Sequence, residues 1–458
     1  MSRPRPRTIA IGAALVLMLA AIPFIPRGDD DEGAIRPSDG SKADAYRPAL
    51  TAGISKVTPA MQAEIDRVVS EGRAVGRIGS KASAVDLADQ LVRCADFDGQ
   101  RYCLGTGWTD ATQAQVRERM TRAARVAERS GSTRINTGDL GPAALLEHAA
   151  RMNPAARAKA ERAELEMAAQ SVAKVWLLRH QIQGVPLPAD FLATHPEARV
   201  PVATTTRLKP KATATASATP TKSPTKSPTK SPSKSPTATP TKSPTKAPSA
   251  TPTASGTPTT VSPPVKTRAD YPKKFAILDK THVAEQTRTY WCGPTSMQMI
   301  AWGWQGTAKS QDHWAAKLHT TSAGTGITDM VRVVNQSTGW DDKDHAGPYV
   351  TLDIGDWKFK QWMLLMMRHI YDYKAPVVLH PVLLKRFYPY LDDDASGHYQ
   401  VGRGYDKNGK GPTTLSYFEP WNQQRFDPSE PYIARVQWRQ AYKSYRGNEA
   451  HFQHNVGV

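Results

Sequence analysis

Trp291-Cys292-Gly293-Pro294-Thr295-Ser296-Met297 is the stretch on which the reading of this chain turns. Gly293 allows close backbone approach, and Pro294 suits a first helical turn, where a missing N–H costs nothing. From Thr295 to Trp304 the sequence reads as a helix with Met297, Ile300 and Trp304 on one face. Cys292 therefore sits at a helix N-terminus, where unpaired N–H groups and the helix dipole favour a thiolate. It is one of three cysteines, and the only one without an obvious partner. An odd thiol in a chain that reads as exported is a flag for reactivity.

The other two cysteines flank Asp98-Gly99. With Asp98-Gly99 as a two-residue hairpin turn, Phe97 faces Gln100, Asp96 faces Arg101, Ala95 faces Tyr102 and Cys94 faces Cys103. The last is a non-hydrogen-bonded pair with Cα atoms about 4.5 Å apart, within the range a disulfide spans. A Cys94–Cys103 disulfide agrees with an oxidising compartment.

The N-terminus reads the same way. Arg3, Arg5 and Arg7 precede an apolar run from Ile9 to Ile25, which Asp29, Asp30, Asp31 and Glu32 close. Residues 1–28 are expected to be a secretory signal or, since the run approaches the length that spans a bilayer, a retained transmembrane anchor. The expected location is secreted or extracellular, with membrane anchoring as the alternative.

The formal net charge is +18. Between Ala198 and Ala269 there are 12 Lys and Arg and no acidic residue. Spaced lysines without aromatics offer bases no stacking platform, so nucleic acid is not the expected partner. The stretch suits a solvated spacer or an anionic cell wall or membrane face. Residues 203–266 repeat a Thr-Lys-Ser-Pro unit almost without large apolar side chains, too few to form a core. This is a disordered, extended linker, with the composition of an O-glycosylated stalk.

The linker separates two expected domains. Residues 45–200 read as mainly helical, with starts at Thr58-Pro59 and Asp110 and a long helix from about Pro154 to Gln183, stopped by Gly184. This accessory domain carries the disulfide hairpin and no visible chemistry; it fits a pro-segment or a binding module. Residues 268–458 hold nine of the 11 tryptophans (Trp108 and Trp176 are the exceptions) and strand-like runs at Pro376–Leu379 and His398–Val401. Their length suits one domain.

A cysteine nucleophile needs a base and donors for an oxyanion. Gln286, six residues before Cys292, can join the Cys292 backbone N–H as such a donor. Gly397-His398-Tyr399-Gln400-Val401 places a histidine at the start of a strand, and His398 is the expected base. The next strand, Thr413 to Phe418, delivers Glu419-Pro420-Trp421-Asn422. Glu419 or Asn422 can fix the imidazole as the third member of a triad does.

In that order, Gln286, Cys292-Gly293-Pro294-Thr295-Ser296, Gly397-His398-Tyr399 and Gly404-Tyr405-Asp406 resemble the C39-like cysteine peptidases, papain-like relatives of the bacteriocin-leader-processing enzymes. The resemblance covers about 270–430. It implies an α+β, papain-like domain with the cysteine helix packed on an antiparallel sheet carrying the histidine, and Gln286 as the oxyanion residue. It also implies a peptide or protein substrate and no cofactor. The family usually has Asp-Pro where this chain has Glu419-Pro420, and no transporter is attached, so cleavage of export leaders does not carry over. A cell-wall peptide hydrolase and a catalytically dead wall-binding module are the alternatives.

Other clusters carry less. Asp392-Asp393-Asp394 reads as a solvated loop, and Asp341, Asp342, Asp344 and His345 lack a Ca²⁺-loop pattern. His451 and His454 lack further ligands, and no metal is expected.

Overall fold

The Asp98-Gly99 turn forms because both residues adopt positive φ, 45° and 79°, the geometry a two-residue hairpin requires. In this computed structural model, residues 51–79, 81–130, 134–198, 266–306, 308–342, 344–408 and 411–458 are described. The expected signal or anchor and the Thr/Lys/Ser/Pro linker up to residue 265 lie outside them. Strands β1 (Cys94–Phe97) and β2 (Gln100–Cys103) pair in the expected register, Cys94 opposite Cys103. The disulfide is made, with Cα atoms 4.0 Å apart.

The hairpin does not stand alone. Strand β3 (Gly107–Thr109) extends it and then pairs in parallel with β5 (Thr351–Asp353) from beyond the linker. The sheet continues through β10 (Asn455–Gly457), β6 (Val377–Leu379), β7 (Gln400–Asp406), β8 (Thr414–Phe418) and β9 (Val436–Gln440). Strand β4 (Lys274–Ala276) also pairs with β7. From β5 to β9 the pairings are antiparallel. The observed class is α+β.

The sequence treats 45–200 and 268–458 as two domains, whereas the structure gathers their described residues into one compact unit. A three-stranded hairpin sheet leaves an unpaired edge, and β5 covers it. Gly107, at φ 101°, makes the approach: a Cβ there would lie 2.5 Å from the Thr351 carbonyl oxygen. Trp108 is fully buried against Phe97 and Tyr102, in the same core as Leu352. Polar ties reinforce the seam: Lys174 Nζ donates to Val458 O at 2.9 Å, and Asp353 accepts from Thr109 Oγ1 at 2.9 Å and Arg119 at 2.8 Å.

Helix starts follow their caps. Thr58 caps Pro59–Ala74 through Met61 N. The next long helix, Gln113–Ser130, starts three residues after Asp110, because Thr112 and Gln115 satisfy each other's backbone N–H groups. The expected helix from Pro154 to Gln183 is interrupted. It runs Pro154–Ala169, breaks where Ser171 Oγ bonds back to Ala168 O at 2.8 Å, and resumes as Val172–Leu178 and a π turn ended by Gly184. No helix among the described residues is long and apolar enough to cross a membrane.

Candidate active site

The helix Cys292–Gln305 buries Met297, Ile300 and Trp304, as its spacing predicts. Its first turn packs against the start of β7: Ser296 Oγ donates to Tyr399 O at 3.3 Å. Gly293 is required, because a Cβ would lie 2.6 Å from Thr325 Oγ1. His398 precedes β7 and is pinned by its backbone N–H to Pro381 O at 2.9 Å. This packs the cysteine helix against the chain that follows His398, although Cys292 and His398 are 106 positions apart in sequence.

Glu419, at the end of β8, reaches His398. Its Oε1 accepts from His398 Nε2 at 2.7 Å and from Trp421 N at 2.9 Å, while Oε2 accepts from Tyr390 Oη at 2.7 Å and Gln400 Nε2 at 2.6 Å. Burial pushes this carboxyl up. The His398 ring, with the Trp421 N–H and the Tyr390 hydroxyl, more than offsets it, so the group is held below its ordinary value. His398 Nδ1 is buried and has no hydrogen-bond partner. The imidazole is thus oriented through one nitrogen, with the other unengaged. Asn422 is not brought to the ring; its Nδ2 donates to Glu285.

Gln286 is fully buried, and its backbone N–H donates to Pro420 O at 2.9 Å, tying it to the Glu419 loop. Its Nε2 donates to Arg288 O at 3.0 Å, Thr289 O at 2.5 Å and Thr137 O at 3.3 Å. The Cys292 backbone N–H donates to the same Thr137 oxygen at 3.3 Å. The two expected oxyanion donors do converge on one point, and a carbonyl from the N-terminal half stands there.

The thiol departs from expectation. Cys292 is fully buried. Burial pushes its pKa well above the ordinary value; the Tyr399 and Gly293 N–H groups oppose this, and the Asp139 and Glu419 carboxylates add to it. A helix N-terminus favours the thiolate, but burial disfavours it more, and here the sulfur is covered.

Sequence reasoning missed a buried cluster beside the site. Asp139 accepts from His380 Nε2 at 2.7 Å and His451 Nε2 at 2.9 Å, and Tyr399 Oη lies 3.3 Å from it. Burial pushes Asp139 up, but the two rings hold it down at about 2, while burial and His380 lower His451 to about 4. Asp139, His380 and His451 offer ligand atoms within 4.8 Å of one another. Their protons argue for a hydrogen-bonded cluster instead. His451 Nδ1 accepts from Gln453 N at 3.1 Å, which leaves the ring proton on the Nε2 that faces Asp139. His380 Nδ1 faces Asn455 Oδ1 at 2.7 Å, and the amide is fixed by Asn455 Nδ2 donating to Thr106 O at 2.8 Å. Both His380 nitrogens therefore face oxygen atoms, Asn455 Oδ1 and Asp139 Oδ1. His454, paired with His451 in sequence, is not in the cluster.

Among curated proteins none matches this chain. Residues 278–449 match the model described as the Peptidase_C39 like family, a range that contains Gln286, Cys292, His398 and Glu419. A peptidase family implies a peptide or protein substrate, and the similarity to the Peptidase_C39 like family is confined to residues 278–449 of this chain.

Proposed function

We propose that this chain is a cysteine peptidase that cleaves peptide or amide bonds through Cys292, His398 and Glu419, with Gln286 assisting. The observation that carries this reading is the His398 ring, fixed by Glu419 through Nε2 while Nδ1 is buried without a hydrogen-bond partner. In the proposed reaction Nδ1 takes the thiol proton and Sγ attacks the scissile carbonyl carbon. The carbonyl oxygen, as it gains charge, accepts from the Cys292 N–H and Gln286 Nε2. His398 then returns the proton to the leaving amine, and water attacks the thioester in a second, symmetric step. Glu419 keeps the ring in the tautomer that leaves Nδ1 able to accept, and it stabilises the imidazolium.

We place the protein outside the reducing cytosol, which the Cys94–Cys103 disulfide supports. The basic linker then suits contact with an anionic wall or membrane face, and cell-wall peptides are the narrower substrate class this would imply. The test is hydrolysis of denatured protein and of purified wall peptide by the full chain and by Cys292→Ala. Activity that disappears in the variant supports the reading. Activity that survives in it removes Cys292 from the chemistry, and its absence under every condition favours the inactive binding module.

A further inference from the structure

Residues 135–140, Ile-Asn-Thr-Gly-Asp-Leu, come from the half of the chain outside the family match, yet they lie extended across the proposed site. On one side Ser396 N donates to Ile135 O at 3.1 Å, Thr137 N donates to Ser396 Oγ at 3.0 Å, and Thr137 Oγ1 donates to Gly397 O at 2.7 Å. On the other, Thr325 N donates to Gly138 O at 2.8 Å and Leu140 N to Thr325 O at 3.1 Å. Between them the Thr137 carbonyl takes both donors of the oxyanion position. Gly138, at φ 122°, leaves no room: a Cβ would lie 2.8 Å from Cys292 Sγ and 2.6 Å from the Tyr290 carbonyl. Asp139 then anchors the strand in the His380–His451 cluster.

We propose that residues 135–140 are an intrachain occupant of the cleft, which covers Cys292 and must leave before an external peptide can reach it. The blocking part rests on geometry alone; the consequence for catalysis rests on the peptidase reading. The segment is held as an obstruction and not as a substrate. The amide N–H of the Thr137–Gly138 bond donates to Asn136 Oδ1 at 3.0 Å, so the segment also holds its own turn at that bond. The occupant belongs to the same compact unit as the site, so cutting the linker does not release it. Local opening of a short stretch does.

The test is alkylation of Cys292 by iodoacetamide in the full chain, read by mass spectrometry, with peptide hydrolysis measured in parallel. Gly138→Ala forces a strained backbone against Tyr290 and the thiol, and we expect alkylation to rise about 10-fold or more. Thr137→Val combined with Ser396→Ala removes hydroxyl contacts without adding atoms, and serves if Gly138→Ala does not fold. Faster alkylation in a folded variant, with slow alkylation of the wild type, supports the proposal. A wild type that reacts as fast as a small free thiol overturns it, as do folded variants no faster than wild type. So does a purified wild type found cut between Thr137 and Gly138, which would make the segment a substrate. Faster alkylation without hydrolysis in any variant supports the obstruction and counts against the peptidase reading, so the two fail separately.

Discussion

His398 Nε2 and Glu419 Oε1 lie 2.7 Å apart, and neither residue is exposed. The carboxylate is saturated by His398, Trp421, Tyr390 and Gln400, so it has no freedom to leave the ring. In the Gly138→Ala background, Glu419→Gln should retain the fold and lower kcat/KM by roughly 10²–10⁴-fold, because an amide can hold the wrong tautomer. Asn422→Ala should change it far less, since Asn422 faces Glu285. Comparable losses in the two would transfer the orienting role away from Glu419.

Acid should loosen the protein in two stages. The folded-state values of His451 and Asp139, about 4 and about 2, lie below their ordinary ones. For such groups stability is present above the unfolded pKa and is lost as pH falls through the folded one. His451 should therefore remove stability between roughly pH 6.5 and pH 4, and Asp139 between roughly pH 4 and pH 2. The expected size of the first stage is about 1–3 kcal/mol. Melting temperatures of wild type and His451→Gln across pH 4–7 check it, and a wild-type profile as flat as the variant's would contradict it.

Glu164 has the opposite sign. Burial raises it to about 7, despite hydrogen bonds from Gly105 N at 2.7 Å and Tyr102 Oη at 2.9 Å. A raised folded value gives stability that is full below the unfolded pKa and is lost as pH rises through the folded one. Glu164→Gln, whose amide oxygen can accept the same bonds, should stabilise the protein by about 1–3 kcal/mol at pH 8 and little at pH 5. Urea unfolding at the two pH values measures this; equal effects at both would mean the carboxyl is not being desolvated.

The disulfide closes a separation of nine residues, and its reduction should cost about 2–3 kcal/mol through chain entropy. Because β3 carries the hairpin into β5, the loss should appear as a lower melting temperature of the whole compact unit. A separate early transition, with the main one unmoved, would show that the hairpin melts independently.

The sequence by itself determined the local features. Asp98-Gly99 set the hairpin register, because only residues tolerant of positive φ make that turn. Cys292-Gly293-Pro294 set the helix start, and Gln286 and His398 stood out as candidates because their order and motifs resemble a known family, while Glu419, where that family usually has Asp, shared the third place with Asn422. The choice between Glu419 and Asn422 was not legible, since three residues of loop can swing either group toward a ring, and only packing shows that Glu419 arrives. Nor could sequence show that β3 joins β5, that Asp139 meets His380 and His451, or that the Thr137 carbonyl accepts from both Gln286 Nε2 and the Cys292 N–H. Those partners lie 149 to 312 positions apart or beyond a low-complexity linker. Contacts at that range leave no periodicity or spacing to read; the shared sheet and core bring them together, and so the tertiary structure alone decided that Cys292 is buried.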